Sequence, residues 1–147
     1  MDKEAFEKYL KDRYYDQIKW YDKKAIYNER MYEGLQTIVI ILSVITPILL
    51  VVRDEWLLGF AILSSGIVAI GTALLKALKY QENWINYRTT CETLRKEKHY
   101  YDAKLYDYRD AEDPEGLFVD RVETLISREH TLWVHVHKPQ EEKLHKS

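Results

Sequence analysis

Residues 35–52 read LQTIVIILSVITPILLVV and residues 56–75 read WLLGFAILSSGIVAIGTALL, and these two stretches decide the fold. Neither contains a charged side chain, and as a helix each is long enough to cross a hydrocarbon layer of about 30 Å. A soluble chain of 147 residues has no core that encloses two such helices side by side. The pattern therefore predicts an all-α membrane protein, a two-transmembrane helical hairpin with Arg53, Asp54 and Glu55 as its turn.

The rest of the chain is polar, and its charges lie at the two ends. The mean hydropathy of -0.44 averages over these ends and conceals the two apolar stretches. With a net charge of -2 the chain has no bulk attraction for nucleic acid, so no nucleic-acid partner is expected. The first 34 residues are charged throughout, so no cleavable signal is expected. The single cysteine, Cys91, excludes an internal disulfide and fits a reducing cytosol.

Lysine and arginine predict the orientation of the hairpin. The turn holds one basic residue, whereas several flank the outer ends of both stretches. They are Lys19, Lys23, Lys24 and Arg30 before the first stretch, and Lys76, Lys79, Arg88 and Arg95 after the second. Because cytoplasmic segments are enriched in Lys and Arg, both termini are predicted to lie in the cytoplasm.

Helical periodicity extends beyond both stretches. Apolar and aromatic residues recur at alternating steps of three and four, which is the spacing of a seam between helices. The first seam comprises Tyr14, Ile18, Tyr21, Ala25, Asn28, Tyr32 and Leu35, and the second Tyr80, Trp84, Tyr87, Cys91, Leu94, Lys98, Tyr101, Leu105 and Tyr108. The chain is therefore predicted to form one unit over 1–147, with cytoplasmic helices at 1–34 and 76–108 that continue the spans at 35–52 and 56–75 as long antiparallel extensions.

Each long helix is predicted to be continuous, from about Lys3 to Val52 and from about Glu55 to Tyr108. Two polar residues, Asn28 and Lys98, occupy seam positions. Either they set the register of the bundle at some cost in stability, or they belong to a functional polar cluster. The many tyrosines of the seams bury apolar rings but keep hydroxyls that need hydrogen-bond partners.

A C-terminal amphipathic helix is predicted at 114–137. Asp113 and Pro114 are a typical cap and first helical residue. One face of this helix carries Phe118, Val122, Leu125, Ile126, Leu132, Trp133 and Val136. We expect that face to pack on the long helices or on a neighbouring subunit, and the polar tail from Lys138 to fray.

The sequence holds none of the strong signatures of an enzyme: no glycine-rich phosphate loop, no nucleophile elbow and no cysteine pair. We therefore predict no enzymatic activity and no cofactor. His135 and His137, with His130 upstream, either belong to an exposed tail or bind a metal if the chain there is extended. The exposed tail is the simpler interpretation, so no metal is predicted, and Cys91 fits a small buried apolar residue.

The second span has a face rich in small residues, comprising Gly59, Gly66, Ala69, Ala73 and Ala77. It is interpreted either as a packing face against the first span or a neighbour, or as a narrow pore wall formed by Ser65, Thr72 and the carbonyls near Gly66. In the first span Pro47 predicts a kink, because proline cannot donate to the Ser43 carbonyl. Ser43 and Thr46 are candidates to satisfy that carbonyl and to join the pore lining.

Two motifs flank the spans, WYDKKAIYNERMY at 20–32 and ENWINYRTTCETLRKEKHYY at 82–101. Together with the helix FVDRVETLISREHTLW at 118–133, they resemble the SLATT family, the two-transmembrane effector domains associated with SMODS and SLOG proteins in bacteria. The residues that carry the resemblance are Trp20, Tyr21, Asp22, Ala25, Asn28, Trp84, Tyr87, Arg88, Glu92, Leu94, Glu97 and Tyr106.

The resemblance implies a stand-alone member with two membrane helices and cytoplasmic extensions, located in the bacterial inner membrane. It implies a homo-oligomeric ion channel or pore-forming effector of bacterial defence, set off in some members by a nucleotide signal. In that interpretation Trp20, Tyr21, Asp22, Asn28, Trp84, Tyr87, Arg88 and Glu92 hold the cytoplasmic bundle, and Arg88 pairs with Asp22 or Glu92. The alternative is a non-conducting membrane scaffold whose cytoplasmic helices bind a signalling partner.

Overall fold

The computed structural model describes residues 2–52 and 54–128, and every regular element in those ranges is helical. Helix α1 comprises Lys3–Tyr9, a π-helical turn Leu10–Tyr14, and α2 Tyr15–Val51. Helix α3 comprises Glu55–Leu78 and α4 Tyr80–Asp102, followed by a 3₁₀ turn at Tyr106–Tyr108. Helix α5 occupies residues 114–128. The part of the predicted C-terminal helix beyond 128, with all three histidines named above, lies outside the described residues.

The first long helix contains one π turn, which the seam spacing explains. The inward residues Phe6, Leu10, Tyr14 and Ile18 follow each other at steps of four. Three turns of an α-helix contain about 11 residues, whereas three steps of four contain 12. A π turn accommodates about one extra residue and so keeps the four side chains aligned. The helical path therefore runs from Lys3 to Val51, as predicted, and keeps these residues on one side.

The second long helix is not continuous, contrary to the prediction. Helix α3 begins with Asp54 as its cap, whose carboxylate accepts from the Trp56 and Leu57 amides at 3.0 and 3.3 Å. It ends at Leu78 because Lys79 adopts a left-handed conformation with φ 48°. Helix α4 then ends at Asp102 rather than near Tyr108. No glycine or proline marks either break, so residue type does not reveal them.

The chain divides into two compact units, and the division falls within α2 and α4. The hairpin unit contains residues 23–86. The bundle unit contains the described residues of 2–22 and 87–128.

The bundle unit has an aromatic core formed by α1, the first turns of α2, α4 and α5. Its fully buried members include Tyr14, Leu94, Phe118 and Val122. The Phe118 ring lies 5.7 Å from Phe6 and 5.3 Å from both Tyr14 and Tyr101. Residues Phe118 and Val122 thus lie on the buried face of α5, as the amphipathic pattern predicts.

The hairpin unit contains two helices that are long and apolar enough to cross a membrane. The share of the most apolar stretch that is buried within the structure is 0% in the first and 17% in the second. Large apolar side chains such as Ile38, Val44, Ile62 and Ile70 are therefore exposed. This exposure distinguishes them from core helices of a soluble domain, which are mostly buried.

Candidate functional site

The hairpin is held by a heptad seam in which α2 and α3 run antiparallel. The inward residues of α2 are Ala25, Asn28, Tyr32, Leu35, Val39, Leu42, Thr46 and Leu49, and those of α3 are Leu57, Ala61, Ser64, Val68, Gly71 and Leu75. Numbered as heptads, Val39 and Thr46 are a positions of α2, and Ser64 and Gly71 are d positions of α3. Two contacts fix the register: the Thr46 and Ser64 hydroxyls lie 2.7 Å apart, and Val39 faces Gly71.

Gly71 is the residue that lets the two helices approach. A Cβ atom at this position would lie 2.7 Å from Val39 Cγ2, which is closer than such atoms ever come. The small residues that the sequence analysis singled out do not pack on α2: a Cβ at Gly59 or Gly66 meets nothing within 4 Å. Ala69, Ala73 and Ala77 are exposed as well. The prediction that this face packs on the first span is therefore wrong; it lies on the opposite side of α3.

Four polar side chains of the hairpin lie along one of its two sides, which also carries Leu50 and Leu58 near the turn. Of the other hydroxyl groups, Thr46 and Ser64 lie in the seam and Thr37 on the outer edge of α2. Gln36 and Ser43 on α2, and Ser65 and Thr72 on α3, all occupy heptad position e, four residues after an a position. Position e lies beside the seam on a helix with about 3.6 residues per turn. Since α3 runs opposite to α2, the two e positions fall on the same side of the hairpin. The register thus places Ser43, Ser65 and Thr72, three of the five predicted pore-lining residues, on the same side of the hairpin.

The hydroxyls on this side are exposed and donate to carbonyls of their own helices. Ser43 Oγ donates to Val39 O at 2.7 Å, Ser65 Oγ to Ile62 O at 2.7 Å and Thr72 Oγ1 to Val68 O at 2.8 Å. A hydroxyl that donates once still has lone pairs that accept. The polar side therefore presents acceptor oxygens outward.

The other side of the hairpin is entirely apolar. Its g positions are Ile38 and Ile45 on α2, Val52 directly after α2, and Phe60, Ile67 and Leu74 on α3. All six are exposed. The hairpin therefore has one polar and one apolar side, an asymmetry that neither span shows when its sequence is considered alone.

Thr46 and Gly66 are placed differently from the other predicted lining residues. The Thr46 hydroxyl lies in the seam, where it donates to Leu42 O at 2.7 Å and contacts Ser64. Gly66 lies at position f, directed away from α2. Ser43 and Thr46 donate to the Val39 and Leu42 carbonyls, not to the Ser43 carbonyl that Pro47 leaves free. Helix α2 continues through Pro47 to Val51.

In the bundle unit, the motif residues form a four-member ion cluster. Asp22 Oδ1 lies 3.5 Å from Arg88 and 3.4 Å from Arg95, and Glu92 Oε1 lies 3.3 and 3.2 Å from the same two guanidinium groups. Arg88 thus pairs with both carboxylates that the sequence offered as alternatives. Arg95 was not singled out for this role, although its spacing of three from Glu92 is a helical ion-pair signal.

Aromatic side chains lie beside this ion cluster. The Trp20 ring meets Tyr21 at 5.0 Å and Tyr87 at 5.6 Å, both nearly edge to face. Tyr21 is buried, whereas Trp20 is 45% exposed. The remaining two motif residues belong to the hairpin unit: Trp84 is half-buried, and the buried Asn28 donates its side-chain amide to Lys24 O at 2.8 Å. That bond lies within one helix, so it connects Asn28 to no polar cluster.

Lys98 is half-buried on α4 and pairs with Asp102 at 2.5 Å. Its ammonium also lies 5.3 Å from the centre of the Tyr101 ring. Both interactions are with residues of the same helix.

Two arginine–glutamate contacts attach α5 to the rest of the bundle unit. Glu123 accepts two hydrogen bonds from Arg13, both at 3.1 Å, and one from the Tyr9 hydroxyl at 2.9 Å. The bonds from Arg13 hold the pKa of Glu123 below its usual value, and burial together with the Glu123 bond raises the pKa of Tyr9. Two residues earlier on α5, Arg121 donates a hydrogen bond to Glu97 at 3.3 Å and another to Asp107.

Cys91 is buried at the centre of the bundle unit, as its seam position predicts. Its thiol lies 3.8 Å from the Ile18 carbonyl, and burial raises its pKa. A raised pKa keeps the thiol protonated and unreactive. Within residues 2–52 and 54–128, no three His, Cys, Asp or Glu side chains are grouped as metal ligands would be.

Comparison with known protein families identifies the family of this chain. The profile of a family described as protein of unknown function, DUF4231, matches residues 16–116. The chain belongs to this family. The matched region contains the whole apolar hairpin and the ion cluster of Asp22, Arg88, Glu92 and Arg95. No curated protein and no solved structure matches the chain.

Proposed function

We propose that this protein is an integral membrane protein whose hairpins assemble as a homo-oligomer around a pore. Membrane insertion is supported by the exposed apolar surface of α2 and α3. Burying apolar surface contributes about 25 cal/mol per Å², so leaving two such helices in water is strongly unfavourable. Lipid removes that cost, and a helix satisfies most of its backbone groups internally, as a spanning segment requires; the Ser43 carbonyl, which Pro47 leaves free, is the exception in α2.

The single observation that carries the pore is the asymmetry of the hairpin. A hairpin surrounded by lipid has no reason to collect Gln36, Ser43, Ser65 and Thr72 on one side and only aliphatic and aromatic groups on the other. Water on the polar side explains the pattern. Because one hairpin cannot enclose water, several copies must direct their polar sides to a common axis.

The lining of such a pore contains hydroxyl and amide groups and no charge. Channels that discriminate between cations and anions commonly use rings of charged side chains. We therefore expect weak discrimination by ion charge within the membrane region.

The location and orientation belong to the same proposal. Lys and Arg at the outer ends of both spans favour cytoplasmic termini. The resemblance to SLATT proteins favours the bacterial inner membrane and an effector role. A nucleotide or protein trigger remains a prediction from that resemblance alone, as does a role without enzymatic activity.

The direct test is ion flux from liposomes that contain the purified protein. Replacing Ser65 and Thr72 by Leu removes both hydroxyls that α3 contributes to the polar side, so the double variant is expected to lose flux. The matched control, Ile67→Leu with Leu74→Ile, alters the apolar side and is expected to keep it. Equal flux from all three proteins would contradict the pore, and so would no flux from the unmodified protein.

Water access to the polar side is a second, independent test. In a Cys91→Ala background, Ser65→Cys is expected to react with a charged, water-soluble thiol reagent, and Ile67→Cys is expected to stay unlabelled in lipid. The two positions differ by only two residues along α3, so depth in the membrane does not explain a difference. Labelling of Ile67→Cys alone would reverse the assignment of the two sides.

The non-conducting scaffold is favoured by one observation, the exposed Trp20 beside the ion cluster of the bundle unit. An exposed aromatic residue rimmed by charges is typical of a protein-binding surface. A scaffold is expected to bind its cytosolic partner equally well with Ser65 and Thr72 replaced by Leu, and to lose that partner on Trp20→Ala. Flux that depends on Ser65 and Thr72 would rule this alternative out.

A further inference from the structure

The outer edges of the hairpin carry complementary surfaces at matching depths. Position f is the heptad position directed away from the seam. On α3 the f positions are Gly59, Gly66 and Ala73, and on α2 they are Thr37, Val44 and Val51. One edge of the hairpin is therefore a groove of small residues, and the opposite edge is a ridge of β-branched residues.

The register of the hairpin shows that ridge and groove match residue by residue. Thr46 is level with Ser64, so Val44, two residues earlier on α2, is level with Gly66, two residues later on α3. Val39 is level with Gly71, so by the same step Thr37 is level with Ala73. Val51 and Gly59, each five residues from the Thr46–Ser64 layer, are level as well. Every β-branched residue of the ridge thus has a small residue at its own depth.

Both surfaces are free to receive a partner. A Cβ at Gly59 or Gly66 would meet nothing within 4 Å, and Val44 and Val51 are 59% and 81% exposed. In lipid, small residues favour helix association because they let backbones approach closely.

Charge is complementary at the same two edges. Glu33 lies at the outer edge of α2 and Lys76 at the outer edge of α3, both at position b. Glu33 is six residues before Val39 and Lys76 is five residues after Gly71, so their depths agree to within about one residue, or 1.5 Å. Both are exposed, and neither forms an ion pair with another described residue of 2–52 or 54–128.

We infer that the groove of α3 receives the ridge of α2 from a second copy of this chain, side by side and in the same orientation. In that contact Val44 of one copy packs on Gly66 of the next, and Glu33 pairs with Lys76. The inference rests on the proposed oligomeric pore and names its subunit interface.

This contact is heterologous, so it repeats from copy to copy and can close a ring. Repetition by rotation about the ring axis keeps every polar side facing that axis. A two-fold contact between two α3 grooves would instead direct the two polar sides oppositely and leave both ridges uncovered. The geometry of the hairpin therefore favours the heterologous contact.

Cysteine cross-linking in membranes tests the contact. In the Cys91→Ala background, Val44→Cys combined with Gly66→Cys is expected to give, on oxidation, a ladder of species larger than a dimer. Either substitution alone is expected to give no cross-link, since each cysteine then faces a Val or Gly. The matched control, Ile45→Cys with Ile67→Cys, places both cysteines on the apolar side and is expected to give no ladder.

Three outcomes overturn the inference. A dimer from Gly66→Cys alone indicates the two-fold contact, and a ladder from the control pair shows that collisions suffice. No ladder from the Val44–Gly66 pair in a protein that still conducts removes this interface but leaves the proposed pore. A monomer without flux removes the proposed function itself, so the two failures are distinguishable.

Reversing the charges of Glu33 and Lys76 tests the same interface without altering Gly66. Glu33→Lys and Lys76→Glu each place like charges across the interface, and each is expected to lower flux and the oligomer fraction by about tenfold. The double variant restores opposite charges and is expected to recover to within about twofold of the unmodified protein. Additive losses in the double variant would contradict the pairing.

Discussion

At the scale of single residues, Gly71 determines how closely the two apolar helices pack. Its hydrogen occupies the space where a side chain would meet Val39, and Val39 is β-branched and therefore stiff at χ1. The neighbouring glycines of α3 face outward and have no such neighbour among residues 2–52 and 54–128. One glycine in the seam is thus structural for the hairpin, and two others are available for contacts outside it.

Replacing Gly71 by Ala is therefore expected to destabilise the protein by about 1–3 kcal/mol, the usual effect of overpacking. Thermal unfolding in detergent measures the loss. Val39→Ala combined with Gly71→Ala is expected to recover part of it, because the clashing methyl group is removed. The control is Gly34→Ala, where the new Cβ meets nothing within 4 Å. Equal stability of the Gly71 and Gly34 variants would contradict the role assigned to Gly71.

Glu123 makes a second residue-scale contribution, because it joins α5 to Arg13 and Tyr9. Its pKa is lower in the folded protein, so it stabilises the fold above its ordinary pKa of 4.5, and this contribution is lost as the pH falls through the folded value. Both partners of the ion pair are partly exposed, 47% for Arg13 and 38% for Glu123, so the effect is less than about 1 kcal/mol.

Glu123→Gln is accordingly expected to weaken the acid dependence of stability. The unfolding temperature of the unmodified protein is expected to decrease as the pH is lowered from about 6 to about 3. In the variant this decrease is smaller by the part that Glu123 contributes. Glu92→Gln, which breaks ion pairs of the other cluster, shows whether the effect is particular to α5. An identical acid dependence for the unmodified protein and Glu123→Gln would contradict the assignment.

At the scale of elements, the junction between α3 and α4 is the least expected feature. Lys79 adopts φ 48°, a conformation that costs an L-residue about 1–2 kcal/mol and that glycine adopts freely. Its side chain pairs with Glu82 at 3.7 Å, and Asn83 donates to the Leu78 carbonyl at 3.3 Å. The bond from Asn83 satisfies one of the carbonyls at the end of α3, and both contacts join the junction to the first turn of α4.

Lys79→Gly is expected to raise stability by about 1 kcal/mol, since it relieves the left-handed conformation and loses only a partly exposed ion pair at 3.7 Å. The comparison is Ala77→Gly, two residues earlier within α3, which is expected to lower stability by about 0.5–1 kcal/mol. Chemical denaturation in detergent compares the two. A loss of stability in both variants would indicate that residues 78–80 are α-helical in the membrane-bound protein.

At the scale of the whole molecule, the proposed orientation places the turn on one side of the membrane and residues outside 35–75 on the other. In the Cys91→Ala background, Glu55→Cys is expected to react with a membrane-impermeant thiol reagent added outside intact cells, because it adjoins the turn. Lys104→Cys is expected to react only after lysis. Both positions are exposed in the structure, so shielding does not account for a difference. The opposite pattern would reverse the orientation.

The helices and their periodic faces are predictable from the amino-acid sequence, because both depend on local patterns. Uncharged stretches of about 20 residues specify two long apolar helices, and steps of three and four specify the seam through Tyr14, Tyr21, Cys91 and Leu94. The buried face of α5 followed in the same way from the spacing of Phe118 and Val122. The break at Lys79 escaped this reasoning, because no proline or glycine marks it. The π turn escaped it because the predicted seam begins at Tyr14 and leaves out Phe6 and Leu10, whose steps of four are its signal.

Which face of α3 meets α2 becomes clear only when the two helices are packed together. The second span has one face centred on Ser64 and Gly71 and another on Gly59, Gly66 and Ala73, and composition does not distinguish them. The choice depends on register, which the contacts between Thr46 and Ser64 and between Val39 and Gly71 fix. That register places Ser43, Ser65 and Thr72 on one side of the hairpin. The two sides exist only when the helices pack together, so the sequence of one helix does not specify them.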